Sequence, residues 1–358
     1  MGRRRLLRRT LSLAAVAVLT LLGVGIFMGG CVFAGPKYRG PTSDHFDGEQ
    51  FFNRTRQERH GFGDFLRWQR TRRPGEWKDY VDAPPGPPPP HRVARGEMRV
   101  TFVNHATALI QMDGLNVLTD PHWSERASPV QFAGPRRHRP PGIRFEDLPP
   151  IDAVLISHNH YDHLDVPTLR RLRRAFPAAR IFTGLGVGLL LEKEHIEGAV
   201  ELDWWQSVPL NGEVTLTAAR AQHFSNRGLG DQNATLWTGY ALRGPSGLAY
   251  FAGDTGYGPH FQELRERLGS PRLALLPIGA FRPEWFMGFV HLSPAEAVRA
   301  AQELGAGTSV GIHFGTFRLA DDGQEEPPEE LRRALEAAGA SAPRFWVLGF
   351  GEGRDVPP

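Results

Sequence analysis

The stretch that decides the fold reads Ser157-His158-Asn159-His160-Tyr161-Asp162-His163-Leu164-Asp165, and it follows the apolar run Ala153-Val-Leu-Ile-Ser157. A short apolar run of this kind predicts a strand buried on both faces. The first two histidines alternate, so in extended backbone their side chains point the same way. The aspartate and the third histidine then enter a turn and can face a second position close by. Four potential ligands within six residues therefore predict two metal ions rather than one.

Further ligands are expected from distant loops, each just past the C-terminal end of a predicted strand. The candidates are His223 after the strand at 213–220, Asp254 after 248–252 and His313 after 309–312. Structural metal sites are usually closed cages of four ligands that often include cysteine. The chain has a single cysteine, Cys31, which excludes an intrachain disulfide and a thiolate cluster. A set of histidines and carboxylates instead suits a catalytic site with an open position for water.

Hydrophobic periodicity places strands in runs with helices between them. The other predicted strands are Met98–Val103, Ala108–Met112, Asn116–Thr119, Leu236–Leu242, Leu273–Pro277 and Phe345–Leu348; the predicted helices are Val166–Phe176, His260–Leu268, Pro294–Leu304 and Pro328–Ala338. Asp113-Gly114 is the predicted turn of a hairpin. This order favours two β-sheets packed face to face with helices outside, an α+β fold, over a doubly wound sheet or an eightfold barrel.

The first 34 residues have the pattern of an export signal or a membrane anchor. Five arginines precede residue 10, and no charged residue follows until Lys37. The apolar run Leu11–Met28 between them is close to the ~20 residues that span a bilayer. Cys31 follows Gly29-Gly30 as in a lipoprotein cleavage site, and Arg8-Arg9 resembles a twin-arginine signal. These patterns predict an exported, membrane-associated protein: a periplasmic or outer-surface lipoprotein, or one anchored by its N-terminus.

Three regions are expected. Residues 1–34 are the signal peptide, lipoprotein signal or anchor. Residues 35–96 form an N-terminal extension packed on the body, and its Pro-rich run at 84–90 is a stiff connector. Residues 97–358 form the hydrolase domain. The formal net charge is +3, and the five N-terminal arginines exceed it, so the rest of the chain carries a net negative charge. This balance argues against a nuclease and predicts no nucleic-acid partner.

The motif residues resemble the metallo-β-lactamase fold superfamily. Within it, several stretches are similar to N-acyl-phosphatidylethanolamine-hydrolysing phospholipase D and its bacterial relatives. These stretches are Leu118-Thr-Asp-Pro121, Ser128–Pro135, Asp152–Asp165, Gly253-Asp-Thr-Gly-Tyr257, Ile278–His291 and Ile312-His-Phe-Gly-Thr-Phe317. The resemblance extends from about residue 40 to about residue 350. It implies an αββα sandwich, two mixed sheets with helices outside, that holds two zinc ions.

The resemblance also implies roles for individual residues. His158, His160 and His223 would bind the first zinc; Asp162, His163 and His313 would bind the second; Asp254 would bridge both and serve as a catalytic residue. His291 matches a family histidine beside the metals and would donate a proton or contact phosphate. Asp120 and His105 are left open, as a residue that orients a ligand or a turn residue. The ligand chemistry also leaves Mn²⁺ and Fe²⁺ open.

The leading hypothesis is a zinc phosphodiesterase of the phospholipase D type, which acts on N-acyl-phosphatidylethanolamine or a related phospholipid through a hydroxide between the metals. The alternatives are a hydrolase of a carbonyl ester, lactone or β-lactam, and a membrane-tethered, non-catalytic metal-binding regulator. The expected partners are a phospholipid or another small ester substrate, a membrane surface and, as a candidate assembly, a second copy of the chain. Aromatic residues at 204–205, 237, 285–287 and 289 could supply an apolar trough for a lipid.

Overall fold

A computed structural model describes residues 33–55 and 60–358 of the chain. The predicted signal or anchor therefore lies almost wholly outside the described residues, as does Cys31. Among the helices of the described ranges, none combines the length and the apolar character needed to cross a bilayer.

The first of two seven-stranded sheets has the order β14-β1-β2-β3-β4-β5-β6. Its strands are β1 (Met98–Asn104), β2 (Thr107–Met112), β3 (Leu115–Thr119), β4 (Ala153–Ile156), β5 (Arg180–Gly184), β6 (Val200–Leu202) and β14 (Gly353–Asp355). Strands β3 to β6 pair in parallel, and β14, β1, β2 and β3 pair antiparallel. The hairpin between β2 and β3 turns at Asp113 and Gly114, whose φ angles of 50° and 79° are those of a type I′ turn.

The second sheet has the order β13-β12-β11-β10-β9-β8-β7. Its strands are β7 (Ser207–Pro209), β8 (Thr215–Ala219), β9 (Gly239–Gly244), β10 (Gly247–Phe251), β11 (Leu273–Pro277), β12 (Thr308–Ile312) and β13 (Phe345–Trp346). Strands β10 to β13 pair in parallel, and β7 to β10 pair antiparallel. Both sheets are mixed, which confirms the predicted sandwich.

Alternation along the first sheet shows that both of its faces are buried. On β4, Ala153 and Leu155 belong to the large core cluster that contains β8, β9 and β10, whereas Val154 and Ile156 belong to a second cluster. That second cluster includes Leu169 and Leu190 from the helices outside the sheet. A strand packed on both faces needs no polar alternation, which is why β4 reads as an uninterrupted apolar run.

The helices are α1 (Phe62–Thr71), α2 (Val166–Ala175), α3 (Val187–Lys193), α4 (His260–Leu268), α5 (Glu284–Met287), α6 (Pro294–Leu304) and α7 (Glu326–Ala338). The bounds predicted for α4 and α6 are confirmed. Helix α6 begins as expected at Ser293, whose side chain accepts from the Glu296 N–H while Glu296 caps Ser293 in return. Helices α1, α3 and α5 were not predicted; α3 and α5 have seven and four residues, which is too short for an apolar period to be recognised.

The residues before β1 contact the body at several points. Phe46 and Phe51 pack with Trp204 and Trp237 in a buried aromatic cluster, so these two tryptophans are core rather than a lipid trough. Farther along, the Trp77 indole donates to the carbonyl of Asp322 over 2.8 Å. Residues 84–90 have neither helix nor strand, as their prolines predict. The division of the chain into regions at 34 and 96 stays a prediction.

Candidate metal centre

The motif residues converge at one edge of the sandwich, beyond the C-terminal ends of parallel strands. The segment 157–165 follows β4 in one sheet, and His223, Asp254 and His313 follow β8, β10 and β12 in the other. The two sheets are joined just below this edge, where the Thr238 N–H donates to the Ser157 carbonyl over 2.9 Å. Side chains separated by more than 150 residues in sequence therefore meet in one buried cluster.

His158, His160 and His223 form the first group. Nε2 of His158 lies 2.7 Å from Nδ1 of His160, and Nε2 of His223 lies 3.3 Å from the same Nδ1. All three can direct one nitrogen to a common point, because these atoms lie within 4.8 Å of one another. This is the set expected for the first zinc.

Asp162, His163 and His313 form the second group. Oδ2 of Asp162 lies 3.2 Å from Nε2 of His163 and 3.4 Å from Nε2 of His313. The structure adds a fourth member, His105, whose Nε2 lies 2.9 Å from the same carboxylate oxygen. The first three are the residues expected for the second zinc.

Asp254 lies between the two groups. Its Oδ2 is 3.1 Å from Nε2 of both His163 and His313, and 3.8 Å from Nε2 of His223. Nδ1 of His291 is also 3.8 Å from this oxygen. A carboxylate in this place can contact both groups at once, as expected for a bridging ligand. The structure thus brings all the candidate residues together, while their roles as ligands and catalysts stay predictions.

Hydrogen bonds from behind orient the rings. Nδ1 of His163 lies 2.7 Å from Oδ2 of Asp120, a fully buried carboxylate that also accepts from the Ser157 N–H. The Ser157 hydroxyl contacts Nδ1 of His158 over 2.9 Å. Nδ1 of His223 lies 2.9 Å from the carbonyl of Val290. In each ring Nε2 is left to face the cluster, which is the arrangement that orients a metal-binding histidine. Asp120 is therefore more than a turn residue.

The cluster fits a divalent metal better than it fits an internal hydrogen-bond network. Within the described part of the chain, Nε2 of His163, Nε2 of His313 and Oδ1 of Asp254 are buried without a hydrogen-bond partner. Buried polar atoms normally have partners, because leaving them unpaired is costly. Several such atoms directed at one place fit a cation as their common partner, and imidazole with carboxylate suits zinc and other transition metals.

Electrostatics separates the histidines into two kinds. Burial lowers the pKa of His158 and of His223 well below the ordinary value, and it lowers the pKa of His160 to about 4. Nearby histidines lower the pKa of His158 further. Near pH 7 these three rings are therefore neutral, which is the form that binds a metal.

The pKa values of Asp254 and of the two histidines of the second group are shifted by their mutual charges. Burial raises the pKa of Asp254, but His163 and His313 outweigh it, so the pKa lies well below the ordinary value. Burial lowers the pKa of His313, but Asp254 and Asp162 outweigh it and raise the pKa to about 9. The same two carboxylates raise the pKa of His163 well above its ordinary value. A metal ion bound here would compete with protons for these two rings.

Two contacts of the site could not be predicted from the sequence. His105, left open above, lies in the turn between β1 and β2 with a φ of 45°, and its ring centroid is 4.0 Å from that of His313. Its position before an alanine and a threonine is compatible with many turns, so only the folded chain shows its partner. Asn53 also contacts the site, through the backbone of His223, and no motif indicated it.

Comparisons with known proteins agree with this geometry. The beta-lactamase superfamily domain matches residues 115–314. An uncharacterized protein of Mycobacterium tuberculosis is 39% identical over 306 residues, which cover 84% of this chain and 80% of the relative. N-acyl-phosphatidylethanolamine-hydrolyzing phospholipase D 1 of Caenorhabditis elegans is 39% identical over 247 residues, which cover 66% of this chain and 69% of the relative.

Among solved structures, isothiocyanate hydrolase from Delia radicum gut bacteria has the same fold. Its TM-score is 0.56 at 22% identity, and the match covers 72% of this chain and 98% of that one. The sequence relatives and the arrangement of the cluster lead to one conclusion: this chain is a metal-dependent hydrolase of the beta-lactamase superfamily and belongs, within it, to the subfamily related to N-acyl-phosphatidylethanolamine-hydrolysing phospholipase D.

Proposed function

We propose that the protein is a binuclear zinc phosphodiesterase of the phospholipase D type, which hydrolyses N-acyl-phosphatidylethanolamine or a related phospholipid. The observation that supports it most is the pair of ligand groups on either side of Asp254, in a chain 39% identical to a nematode phospholipase of this name. Two groups that share a carboxylate are the arrangement that a two-metal hydrolase requires.

His158, His160 and His223 would hold one zinc ion, and Asp162, His163 and His313 the other, with Asp254 contacting both. When bound, the two ions would supply Lewis-acid activation of water and of the phosphodiester. The protein's own part is orientation. Asp120 and Ser157 hold the rings of His163 and His158 from behind, so the nitrogens that face the cluster need not reorganise during the reaction.

His291 is the proposed residue for contact with the reacting group. Its Nδ1 is buried without a hydrogen-bond partner and lies on the Asp254 side of the cluster. A ring nitrogen in this place can hydrogen-bond to a phosphoryl oxygen or give a proton to the departing alkoxide. The loop that carries it starts at α5 and is closed by the N-cap of α6, so the ring is held between two helices.

A cavity beside the motif supports an anionic substrate over a neutral lactone. Tyr161 and Leu164 of the metal-binding segment contribute to its lining. The lining also includes the cations Arg126, Arg170, Lys193 and Arg227, against the acidic residues Asp165 and Glu194. The basic side chains outnumber the acidic ones, and such an excess beside the motif segment attracts a phosphate-containing substrate. Phe33, the first described residue, also lines this cavity.

The test uses the full chain, purified in mild detergent and loaded with Zn²⁺. Metal content measured by mass spectrometry should approach two ions per chain. Vesicles that contain N-acyl-phosphatidylethanolamine should release phosphatidic acid in proportion to enzyme, and a His160→Ala variant should show at most a small fraction of that rate. The substrate assignment is wrong if this rate does not exceed that of the variant while a lactone or β-lactam is hydrolysed. A metal content near one ion per chain would contradict the binuclear site.

A further inference from the structure

The side chain of Asn53 forms hydrogen bonds with both the N–H and the carbonyl of His223. Its amide Nδ2 donates to the His223 carbonyl over 2.8 Å, and its Oδ1 accepts from the His223 N–H over 3.2 Å. The two residues are 170 positions apart in sequence. Asn53 also lies outside residues 115–314, the region that matches the superfamily domain. A residue of the N-terminal extension therefore holds the peptide units on both sides of a candidate metal ligand.

These two hydrogen bonds restrict the backbone of His223. The ring is held separately, because its Nδ1 lies 2.9 Å from the carbonyl of Val290. Its Nε2 then faces His160 at 3.3 Å and Asp254 at 3.8 Å. The main chain of His223 is fully buried with its ring, so no solvent can replace the bonds to Asn53 at low cost. Backbone and ring are thus each tied to a different part of the fold.

Asn53 is itself held in place. Its Oδ1 also accepts from the indole N–H of Trp237 over 3.1 Å, and Trp237 is almost fully buried. The backbone next to Asn53 bonds to the loop that precedes Trp237, since the Phe51 N–H donates to the Asn233 carbonyl over 2.8 Å. The phenyl rings of Phe46 and Phe51 anchor this part of the extension, with centroids 4.6 Å apart.

The contact requires a carboxamide. One oxygen accepts two N–H groups while one nitrogen donates to a carbonyl, and among side chains of this length only asparagine offers both. An aspartate would keep the two acceptor contacts but would place a negative charge against the His223 carbonyl. An alanine would leave the buried N–H and carbonyl of His223 unpaired.

We propose that Asn53 is a positioning residue for the metal centre. It fixes His223 through the backbone of His223, so the N-terminal extension contributes to the geometry of the site. The proposal rests on His223 being a metal ligand, as in the proposed function. It predicts that metal affinity depends on a residue that contacts neither metal nor substrate.

The test compares Asn53→Ala and Asn53→Asp with the unchanged full chain. Zn²⁺ affinity is measured by competition with a chromophoric chelator, and the absorption spectrum of the Co²⁺-loaded protein reports on the ligand environment. Groups that orient a ligand histidine typically change metal affinity by about 10- to 100-fold. We expect both variants to bind one of the two Zn²⁺ equivalents, the one assigned to His223, about 10-fold less tightly and to show an altered Co²⁺ spectrum.

Phe46→Leu is the control, because it loosens the same extension without touching His223. It should lower the unfolding temperature at least as much as Asn53→Ala, yet leave Zn²⁺ affinity and the Co²⁺ spectrum nearly unchanged. Equal weakening in both variants would mean that Asn53 only stabilises the fold, and unchanged affinity in Asn53→Ala would also overturn the proposal, as would an unchanged chain that binds no metal. Failure of the proposed substrate would be recognised separately, as tight metal binding without release of phosphatidic acid.

Discussion

Asp120 shows how a single buried charge organises the cluster. Its two oxygens accept from the N–H and the hydroxyl of Ser157 and contact Nδ1 of His163, all within 2.7 Å. Burial raises the pKa of Asp120, while His163 and Ser157 oppose that rise. The carboxylate also occupies a strained backbone position, with a φ of 31°. Strain and burial at one residue are typical of functional sites.

Replacing Asp120 by asparagine should impair the site more than the fold. The amide cannot accept from both Ser157 and His163 as the carboxylate does, so Zn²⁺ affinity and phosphodiesterase activity should fall about 10- to 100-fold. Chelator competition and turnover measure this. Asp113→Asn is the matched control: Asp113 is also buried with a positive φ and accepts from Ser246, but it lies in the β2–β3 hairpin. Equal loss of affinity in the control would contradict a specific role for Asp120.

His105 should matter for the second group alone. It contacts Asp162 and packs on His313, and it has no hydrogen bond to the first group. A His105→Gln variant should therefore lose one of the two ions on mild chelation while it keeps the other about as tightly. The measurement is the number of Zn²⁺ ions per chain along a chelator titration. Simultaneous loss of both ions, as in the unchanged protein, would show that His105 does not hold the second group.

At the scale of elements, the N-terminal extension is joined to the body by a charged contact. His45 is buried, stacks on Trp204 with centroids 4.4 Å apart, and contacts Asp44 and Asp203 at 2.7 Å each. Arg54 pairs with Asp44 on the exposed side. Burial lowers the pKa of His45, but the hydrogen bonds that its ring donates to the two carboxylates outweigh burial, so the pKa is raised above its ordinary value. In its protonated form, His45 can donate to both carboxylates and so helps to hold the extension that carries Asn53.

The stabilisation by His45 should depend on pH. Because its pKa is raised on folding, its contribution is complete below the unfolded value near 6.5 and is lost as the pH rises through the folded value. A His45→Gln variant should thus be clearly less stable than the unchanged protein at about pH 5.5 and closer to it at about pH 9. Thermal unfolding at both pH values tests this, with exposed His91→Gln as the control. A stability difference that grows with pH would contradict the charged contact.

At the scale of the whole molecule, the candidate metal centre lies between the two sheets and takes residues from both. One sheet contributes His158 to His163, and the other contributes His223, Asp254 and His313. Each sheet has its parallel strands directed to the same edge, so a small shift between the sheets would separate the two halves of both ligand groups. Bound metal should therefore stabilise the packing of the sandwich as well as the reaction.

Removal of metal should lower the unfolding temperature of the whole chain. Free metal at 100 times its dissociation constant stabilises a folded protein by about 2.7 kcal/mol per site if the unfolded chain does not bind it. Calorimetry before and after treatment with a chelator measures this loss, and added Zn²⁺ should restore the original transition. The His160→Ala variant should respond less. An unfolding temperature indifferent to the chelator would show that the ions do not link the sheets.

Much of this arrangement was open to prediction from local patterns. The strand before the motif, the helices α4 and α6 and the hairpin at Asp113 are each determined by neighbouring residues: an apolar run, a helical period with a cap, and a turn that needs positive φ. Strands β6 and β7 have three residues each and helix α3 has seven, which is too short for a period to be recognised. Helix α1 lies in the extension at 35–96, where no helix was predicted.

The sequence by itself determined the four ligand candidates of the segment 158–163, because six positions with four such side chains between a buried strand and a helix allow few other interpretations. Only the tertiary structure decided that His105 contacts Asp162 and that Asn53 holds His223, over 57 and 170 residues. The physical reason is the separation along the chain of the residues in contact. A motif encodes spacing along one segment, whereas the partners that orient a ligand come from whichever segments the packing of the two sheets brings alongside it.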